Sequence, residues 1–343
     1  MENSKIRFVI IGAGNVAAKY AEAFKKIDSG SLVGVVDIKE QKAEEFAQAN
    51  GIAHYAPDLG SLQEKIKFDA VIISLPSGLH AQAAIEAARL KKHVLSEKPL
   101  DISTQKIDQM TSACRDSGVW LGCTFQHRTS EHNRLAREAI QSGKLGRIHI
   151  ANAFLKNYRG QAYYDSAAWR GTWALDGGGP FMQQAAHTID LMVWMMGRAQ
   201  SVFASTSTVA HAIEVEDMGH AIVRYENGAQ GVIEASTVVK PGYPNKIEVH
   251  GEKGSIILTE GDIVEWDVEG MEKPVLAQTN HASGAADPMA ISSLGHEMII
   301  RDFIESIREN RAPLVPPESA RLSVELINAI YESARSGRNV KIN

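Results

Sequence analysis

A short apolar run at residues 6–11 leads directly into a glycine-rich stretch at residues 12–17, which reads GAGNVA. This is G-x-G-x-x-A between a strand-like and a helix-like segment, the context in which the motif binds a dinucleotide. Gly12 permits a tight turn, and Gly14 lets the backbone approach a pyrophosphate without a Cβ in the way. The N–H groups at the start of the helix then hold the anion. The predicted cofactor contacts in this turn are Gly12, Gly14, Asn15 and Val16.

The same rhythm continues to about residue 125, where short β-branched runs alternate with stretches of helical period. Such alternation predicts parallel strands joined by crossover helices, that is, a doubly wound Rossmann-type α/β domain. The apolar runs are nearly continuous, as expected for strands covered on both faces. Strands are predicted at residues 6–11, 32–36, 53–55, 70–74, 93–95 and 119–124, with helices between them, for example at 41–49 and 81–90.

A different pattern follows, in which strands succeed one another from residue 201 to about residue 266 without long helices. It predicts an α+β domain with a mostly antiparallel open sheet and helices on one face. The predicted elements are a helix at 131–141, a strand at 147–155, hairpins at 221–236 and 247–258, a mobile loop at 279–293, and helices at 295–310 and 318–336. We expect residues 1–124 to form the dinucleotide-binding domain and residues 125–343 to form a domain for substrate binding and oligomerisation.

Composition narrows the possible partners and the compartment. The 343 residues suffice for two domains, and 36 basic against 41 acidic residues give a net charge of −5, which offers no electrostatic reason to bind nucleic acid. No apolar run approaches the ~18 residues of a membrane span, and residues 1–5 do not resemble a secretory leader. Cys114 and Cys123 are predicted to be buried thiols of a reducing compartment. We therefore expect a cytoplasmic protein with no membrane partner.

Asp37 ends the second predicted strand, about 20 residues beyond the glycine-rich turn. A carboxylate in this position accepts hydrogen bonds from the hydroxyl groups of the adenosine ribose. It would oppose a 2′-phosphate at ~4 Å by about 4 kcal/mol per unit charge at an effective dielectric constant near 20. The sequence therefore favours NAD over NADP, although Lys39 lies near enough in sequence to soften that preference.

Three further segments complete a set of motifs: residues 75–80 (LPSGLH), 96–100 (SEKPL) and 176–180 (DGGGP). With the glycine-rich turn, WRGTW at 169–173 and RDFI at 301–304, they resemble the Gfo/Idh/MocA family of nicotinamide-dependent sugar and polyol oxidoreductases over nearly the whole chain. The resemblance implies the two-domain fold, a nicotinamide cofactor, hydride transfer, and assembly as a homodimer or homotetramer. It also implies cofactor contacts from Ser74, Pro76, His80, Glu97 and Lys98.

Lys98 follows the fifth predicted strand, at the sheet edge where open α/β folds bind their ligands. Pro99 restricts the backbone of Lys98 and so fixes the direction of its side chain; in the family this Lys-Pro bond is often cis. An ammonium group there can bind the substrate hydroxyl and stabilise the alkoxide as it forms. We therefore predict that Lys98 is both a catalytic and a substrate-binding residue.

Gln183 and His187 are four residues apart on a helix that is predicted to start at Pro180, so both should face one substrate. The resemblance implies that His187 is the general acid/base, a task that suits an imidazole near neutral pH. Inositol-type members carry an aspartate where this chain has Gln183. A neutral amide can position a hydroxyl but cannot take its proton, so proton transfer falls on His187 and Lys98. Related members of the family with an amide at this position occur among nucleotide-sugar and aminosugar enzymes, so the resemblance favours such substrates over free inositol.

Several other residues are secondary candidates for the site. The glycines at 177–179 should let the backbone pass close to the nicotinamide and the sugar. Arg170 is a predicted cofactor contact and Tyr164 a predicted substrate contact, with Tyr158 and Tyr163 as further aromatic candidates. Further expectations are core positions for Trp169 and Trp173, a place near the substrate for His296, and a structural role for Asp190. His127 and His132 have no third partner at metal-ligand spacing, so we predict no metal.

Three functions fit this sequence. The leading one is NAD-dependent hydride transfer between nicotinamide and a secondary hydroxyl or ketone of a sugar, nucleotide sugar or polyol. The second is NAD-assisted glycoside hydrolysis, in which the hydride returns to the product. The third is a non-catalytic NAD-binding regulator, which the presence of both Lys98 and His187 disfavours.

Overall fold

The computed structural model describes residues 5–277 and 293–342, and the chain divides into two compact units. The first unit comprises Met1–Gln126 and Ser292–Ala320, and the second comprises His127–Ile291 and Arg321–Asn343. The domain boundary between residues 124 and 125 remains a prediction; the first unit also includes a later segment, which a single boundary does not describe. The predicted loop at 279–293 lies outside the described residues except for Ser293.

The first unit is built on a parallel sheet. Its strands are β1 (Ile6–Ile11), β2 (Gly30–Val36), β3 (His54–Ala56), β4 (Ala70–Ile73), β5 (His93–Ser96) and β6 (Leu121–Cys123). Its helices are α1 (Asn15–Phe24), α2 (Glu40–Asn50), α3 (Leu59–Lys65), α4 (His80–Arg89), α5 (Thr104–Asp116) and α9 (Leu294–Glu309). The strand order is β3-β2-β1-β4-β5-β6, with every pair parallel. This confirms the doubly wound sheet, whose order reverses between β1 and β4.

The sheet forms because its strands are apolar on both sides, and two glycines make room for α9. Val9 and Ile10 of β1 are fully buried. A Cβ on Gly30 would come within 2.7 Å of the Ile304 side chain, and one on Gly122 within 3.2 Å of the Phe303 ring. α9 therefore packs on this sheet, although it lies far from the sheet in sequence. Cys114 and Cys123 are buried free thiols, as predicted.

The second unit is built on a mostly antiparallel sheet, also as predicted. Its strands are β7 (Ile148–Tyr158), β8 (Ala199–Ser207), β9 (Met218–Tyr225), β10 (Gln230–Ser236), β11 (Val238–Gly251), β12 (Gly254–Thr259), β13 (Asp262–Val268) and β14 (Val340–Lys341). The order is β13-β12-β11-β7-β10-β9-β8-β14, in which β7 and β10 run parallel and the other neighbours antiparallel. Both predicted hairpins are present, as β9–β10 and β11–β12.

The remaining helices are α6 (Glu131–Gln141), α7 (Gln161–Asp165), α8 (Ala186–Met196) and α10 (Pro317–Ser336). α8 is apolar almost all round and is buried, as such a helix must be. In contrast, Phe203 and Ile222 lie directly opposite each other on β8 and β9 and are 46% and 56% exposed. Within residues 5–277 and 293–342, no helix is long and apolar enough to cross a membrane.

Candidate active site

The glycine-rich turn of the first unit leaves room for a phosphate. Gly12 has a positive φ of 98°, and a Cβ there would meet Ser74 O at 2.4 Å, so no larger residue fits. A Cβ on Gly14, by contrast, would have no heavy atom within 4 Å. α1 begins at Asn15 without a side-chain cap, and Asn15 and Val16 are exposed. The turn therefore presents uncapped N–H groups to open space, as a pyrophosphate requires.

Asp37 lies against the same turn. Its Oδ2 accepts a hydrogen bond from Ala13 N at 3.0 Å, and its Oδ1 accepts one from Lys39 N at 3.0 Å. The ammonium group that faces the carboxylate is that of Lys42, at 3.8 Å, whereas Lys39 contributes its backbone N–H. The structure thus places the carboxylate beside the pyrophosphate turn, where it can reach a ribose. These contacts fit NAD.

Lys98 follows the end of β5 by two residues and is half-buried. Its backbone N–H donates to Glu97 Oε2 at 3.0 Å, and the Lys98–Pro99 peptide bond is cis. Glu97 N in turn donates to Ile73 O at 2.9 Å, which joins this segment to the end of β4. The backbone that carries the candidate catalytic ammonium is therefore fixed at the carboxyl edge of the sheet.

The side chain of Glu97 is buried within the unit, and its contact with the cofactor remains a prediction. The buried carboxylate accepts a hydrogen bond from Tyr20 Oη at 2.7 Å, and Tyr20 Oη also lies 2.8 Å from Thr124 Oγ1. His296 Nε2 lies 3.5 Å from Glu97 Oε1, and its ring packs edge-on against Tyr20. Burial would raise the pKa of Glu97, but bonding to His296 and the charges of His296 and Lys98 hold that pKa below its ordinary value. Glu97 is thus a buried carboxylate.

The side chain of His80, another predicted cofactor contact, makes its polar contacts within the first unit. The ring is fully buried, with Nδ1 2.8 Å from Pro99 O and Nε2 2.8 Å from Leu75 O. Both ring nitrogens lie at hydrogen-bond distance from backbone carbonyls, so the ring joins two loops, and its contact with the cofactor remains a prediction. The carbonyl of Ser74 adjoins Gly12, and Pro76 precedes the short turn Ser77–Leu79; the cofactor contacts of both residues remain predictions.

In the second unit, the predicted helix start at Pro180 is wrong. α8 begins at Ala186, and Gln183 lies in the turns before it. Ala185 N bonds to Pro180 O, five residues back, which is a wider turn than an α-helix allows. Gln183 is instead oriented by its own contacts, because its amide Nε2 donates to Asp176 O. The two residues are therefore not related by helical spacing.

His187 is held by a neighbouring imidazole. The rings of His187 and His127 stack with centroids 4.5 Å apart and planes at 16°. Arg128, which follows His127, makes a bidentate pair with Asp190 at 2.8 and 2.6 Å, and both side chains are buried. Burial raises the pKa of Asp190, and the Arg128 charge opposes that rise. Asp190 thus has the structural role predicted for it, whereas no sequence pattern indicated that His127 stacks on His187 or that Arg128 pairs with Asp190.

The aromatic candidates near α7 separate into a core residue and a polar cluster. Tyr164 is buried in the core with its hydroxyl 2.8 Å from Thr237 Oγ1, and burial raises its pKa to about 12; its contact with the substrate remains a prediction. Tyr163 Oη accepts hydrogen bonds from Arg170 at 2.7 Å and from Gln184 at 3.3 Å. The Arg170 guanidinium also lies 4.3 Å from the Tyr163 ring centre. The predicted core residue Trp173 is 40% exposed.

The triple glycine packs against a buried carboxylate that the sequence did not reveal. Glu216 is 3% exposed and accepts hydrogen bonds from Gly179 N at 2.9 Å, Phe181 N at 3.2 Å and Tyr331 Oη at 2.9 Å. A Cβ on Gly178 would meet Tyr331 Oη at 2.0 Å, and one on Gly179 would meet Glu216 O at 1.7 Å. These close approaches show that the two glycines are needed for packing within the unit.

The absence of a metal remains a prediction, and the structure describes only residues 5–277 and 293–342. No group of three or more His, Cys, Asp or Glu side chains in that part of the chain could hold a metal ion. His132, one of the two histidines weighed as metal ligands in the sequence, accepts a hydrogen bond from Ile263 N and contacts Ala277 O. It therefore joins α6 to β13.

The uncapped turn and Asp37 define a dinucleotide-binding domain, and comparison with known proteins gives its family. Residues 6–125 match the family described as "Oxidoreductase family, NAD-binding Rossmann fold", and residues 133–257 match the "GFO/IDH/MocA C-terminal domain". The chain therefore belongs to the GFO/IDH/MocA family. It is an NAD-binding oxidoreductase.

Known relatives cover essentially the whole chain. The crystal structure of the WlbA dehydrogenase from Bordetella pertussis, in complex with NADH and UDP-GlcNAcA, is 32% identical with a TM-score of 0.88, covering 99% of each chain. Myo-inositol 2-dehydrogenase of Thermotoga maritima is 26% identical and 1,5-anhydro-D-fructose reductase of Ensifer adhaerens is 27% identical, each covering 98% of both chains.

Proposed function

We propose that the protein is an NAD-dependent dehydrogenase that oxidises a secondary hydroxyl of a nucleotide-linked sugar. The observation that carries this proposal is the full-length similarity to a dehydrogenase solved with NADH and UDP-GlcNAcA. Gln183, which stands where inositol-type enzymes have an aspartate, agrees with it. The amide is oriented by Asp176 O and is suited to holding a hydroxyl rather than taking its proton.

Lys98 and His187 are the proposed catalytic residues. The chemistry that bound NAD supplies is acceptance of a hydride from the carbon that bears the hydroxyl. The Lys98 ammonium donates to the hydroxyl oxygen and stabilises the negative charge that develops on it. The imidazole of His187 accepts the hydroxyl proton. The buried carboxylate of Glu97 holds the Lys98 backbone, and the His127 ring holds the His187 ring, so both groups are positioned before substrate binds.

On the substrate side, Arg170 and Tyr163 form a polar cluster suited to an anionic group. The guanidinium donates to the Tyr163 hydroxyl and stacks on both Tyr163 and Trp169. Arg159 lies on the same ring, 5.6 Å from its centre. Two guanidinium groups beside one aromatic ring favour a substrate with a phosphate or carboxylate. We therefore propose that Arg170, which the sequence predicted as a cofactor contact, binds the substrate instead.

The test is a substrate screen with purified protein and NAD, using UDP-linked sugars, free sugars and inositols. Absorbance of the reduced cofactor is measured together with product analysis. We expect NADH to form with UDP-linked sugars at least about tenfold faster than with inositols. Release of free sugar from a glycoside without accumulation of NADH would instead support the hydrolase alternative, and binding of NAD without turnover of any sugar would support a regulator.

His187→Asn is the sharpest variant for the proton transfer. The amide keeps a polar group but cannot accept the proton, so we expect kcat to fall by about 10²-fold, within the range found for general acid/base residues. His149→Asn, at an exposed position of β7, is the matched control and should keep the parent rate. A parent rate in His187→Asn would move the proton to another group.

We further propose that the protein forms a homodimer or homotetramer through the uncovered sheet face around Phe203 and Ile222, and that it works in the cytoplasm. An exposed apolar pair on one open face favours association with a second copy. The two free thiols fit a reducing compartment. Light scattering after gel filtration should give a multiple of 37.3 kDa for the parent chain and a smaller assembly for Phe203→Asp. An unchanged mass in that variant would contradict the proposed face.

A further inference from the structure

Glu216 is a buried titratable group that the proposed chemistry does not use. Its carboxylate receives two backbone N–H groups, from Gly179 and Phe181, and the hydroxyl of Tyr331 from α10. Gly179 O in turn accepts from Gln183 N at 2.9 Å. A continuous set of hydrogen bonds therefore runs from Glu216 through Gly179 to Gln183, a candidate substrate-binding residue.

We propose that Glu216 is a positioning residue whose negative charge holds the turn at residues 177–181 in place, and so fixes Gln183 and the start of the helix that carries His187. The backbone of this turn lies close to its neighbours, because a Cβ on Gly179 would meet Glu216 O at 1.7 Å and one on Gly178 would meet Tyr331 Oη at 2.0 Å. The catalytic part of this inference rests on the proposed function; the structural part does not.

The charge state is what makes the contact adjustable. An ionised carboxylate accepts all three hydrogen bonds in their stronger, charge-assisted form, whereas a protonated carboxyl loses that assistance. Burial raises the pKa of Glu216 to about 7, although the bonds from Gly179, Phe181 and Tyr331 act in the opposite direction. The carboxyl therefore changes charge near neutral pH. Because the three donors favour the ionised form, a local opening that breaks these bonds but leaves Glu216 buried should become easier as the solution becomes more acidic. Complete unfolding, which exposes Glu216 to water, has the opposite pH dependence because burial favours the neutral form.

The other titratable groups around Glu216 do not replace it. Tyr331 has a pKa well above its ordinary value through burial and the Glu216 charge, so it remains a neutral donor. Asp176, whose charge acts on Tyr331, accepts Gly171 N at 2.7 Å. Asp217, the next residue along the chain, accepts hydrogen bonds from the backbone N–H groups of residues 209–211 and contacts the ring of His211. Glu214 is exposed and bonds to Trp173 N.

The direct test is hydrogen exchange of the Gly179 and Phe181 amides, expressed relative to the Ile189 amide, which bonds to Ala185 O at the start of α8. In the parent chain the relative protection should fall about tenfold between pH 8 and pH 6, as expected when charge-assisted hydrogen bonds are weakened. Glu216→Gln should show no such change. Glu214→Gln, a carboxylate two residues away with a different partner, should behave like the parent.

A second variant and a kinetic readout keep the inference testable if Glu216→Gln folds poorly. Tyr331→Phe removes one donor to the carboxylate, so the midpoint of the protection change should move to higher pH by about half a unit or more. The ratio of parent kcat to Glu216→Gln kcat should rise about tenfold from pH 6 to pH 8, with KM for NAD unchanged, because misplacement of a reacting group costs rate rather than cofactor affinity. This ratio cancels any pH dependence of the rate that both proteins share.

Relative protection that does not depend on pH in the parent chain, or superimposable pH profiles of kcat for the parent and Glu216→Gln, would overturn the inference. Failure of the proposed function gives a different result. In that case no sugar is oxidised, or His187→Asn keeps the parent rate, while amide exchange still decides whether Glu216 holds the turn.

Discussion

Lys98 is positioned through its backbone, which is bonded to a buried carboxylate. Its side chain is half-buried, but its backbone N–H is bonded to Glu97, whose carboxylate is fixed by Tyr20 and His296. A charged side chain that leaves a rigid backbone loses little freedom when it binds a developing oxyanion. The buried charge of Glu97 therefore fixes the backbone of Lys98, whose own charged side chain is partly exposed.

Replacing Lys98 tests that interpretation at the scale of one residue. Lys98→Met keeps the length of the side chain and removes the charge, so we expect kcat to fall by about 10²- to 10³-fold while the Kd for NAD changes by less than about threefold. Initial rates and calorimetric titration with NAD measure the two quantities. Lys67→Met is the control, since Lys67 is exposed and precedes β4, at the opposite edge of the parallel sheet. Unchanged turnover in Lys98→Met would remove Lys98 from the reaction.

Asp37 governs the choice of cofactor by its charge. In Asp37→Asn the amide oxygen can still accept the Ala13 N–H, but the repulsion of a 2′-phosphate is lost. We expect the ratio of kcat/KM for NAD to kcat/KM for NADP to fall at least about tenfold, since a unit charge at this distance is worth a few kcal/mol. Rate measurements with both cofactors decide the point. A constant ratio would mean that another group reads the ribose, with Lys42 the first to examine.

At the scale of elements, the short turn Gln126–Thr129 and α8 are joined by one ion pair. Arg128 and Asp190 are each buried, so removal of either partner leaves an uncompensated charge. Arg128→Met should lower the free energy of unfolding by about 3–5 kcal/mol, as for other broken buried pairs. Urea unfolding of the parent, Arg128→Met, Asp190→Leu and the double variant measures the coupling.

The double variant is the control within that cycle. It removes both charges, and we expect it to be more stable than Arg128→Met because no unpaired charge remains. Losses that simply add would show that the two side chains do not depend on each other, and would leave the stacked His127 and His187 rings without their proposed support.

At the scale of the whole molecule, Glu216 should give stability a recognisable pH dependence. Its pKa is about 7 in the fold against an ordinary value of 4.5, so the native state binds the proton more tightly than the unfolded chain. The resulting stabilisation is complete below pH 4.5 and is lost as pH rises to about 7. It amounts to about 3 kcal/mol over that interval. Relative to Glu216→Gln, the parent chain should lose about this much free energy of unfolding between pH 4.5 and pH 8.

Denaturant unfolding of both proteins across this pH range provides the measurement. The comparison with Glu216→Gln is needed because carboxyl groups with lowered pKa values, such as Asp69 beside Arg7, shift the stability of both proteins in the opposite direction. A difference between the two proteins that stays constant with pH would contradict the raised pKa of Glu216.

The sequence by itself determined the elements and the cofactor. A continuous apolar run is stable only between two covering layers, and a glycine with no Cβ is demanded by the turn itself, so the strands, the glycine-rich turn and Asp37 could be assigned from local chemistry. The Asn-Gly turn of the β9–β10 hairpin is likewise a local signal.

Only the tertiary structure decided which polar side chains are presented and which are buried. Glu97, His80 and Tyr164 lie in motifs or beside them, yet their polar atoms are occupied within the fold. In these three hydrogen bonds the partners lie 77, 19 and 73 residues away along the chain, and no local spacing predicts such contacts. The prediction that α8 starts at Pro180 was wrong for the same reason. The residues on either side of Pro180 donate hydrogen bonds to Glu216, and this contact, which the sequence does not show, fixes a turn there instead of a helix. Local chemistry fixes the backbone pattern, whereas burial of a charge depends on everything that surrounds it.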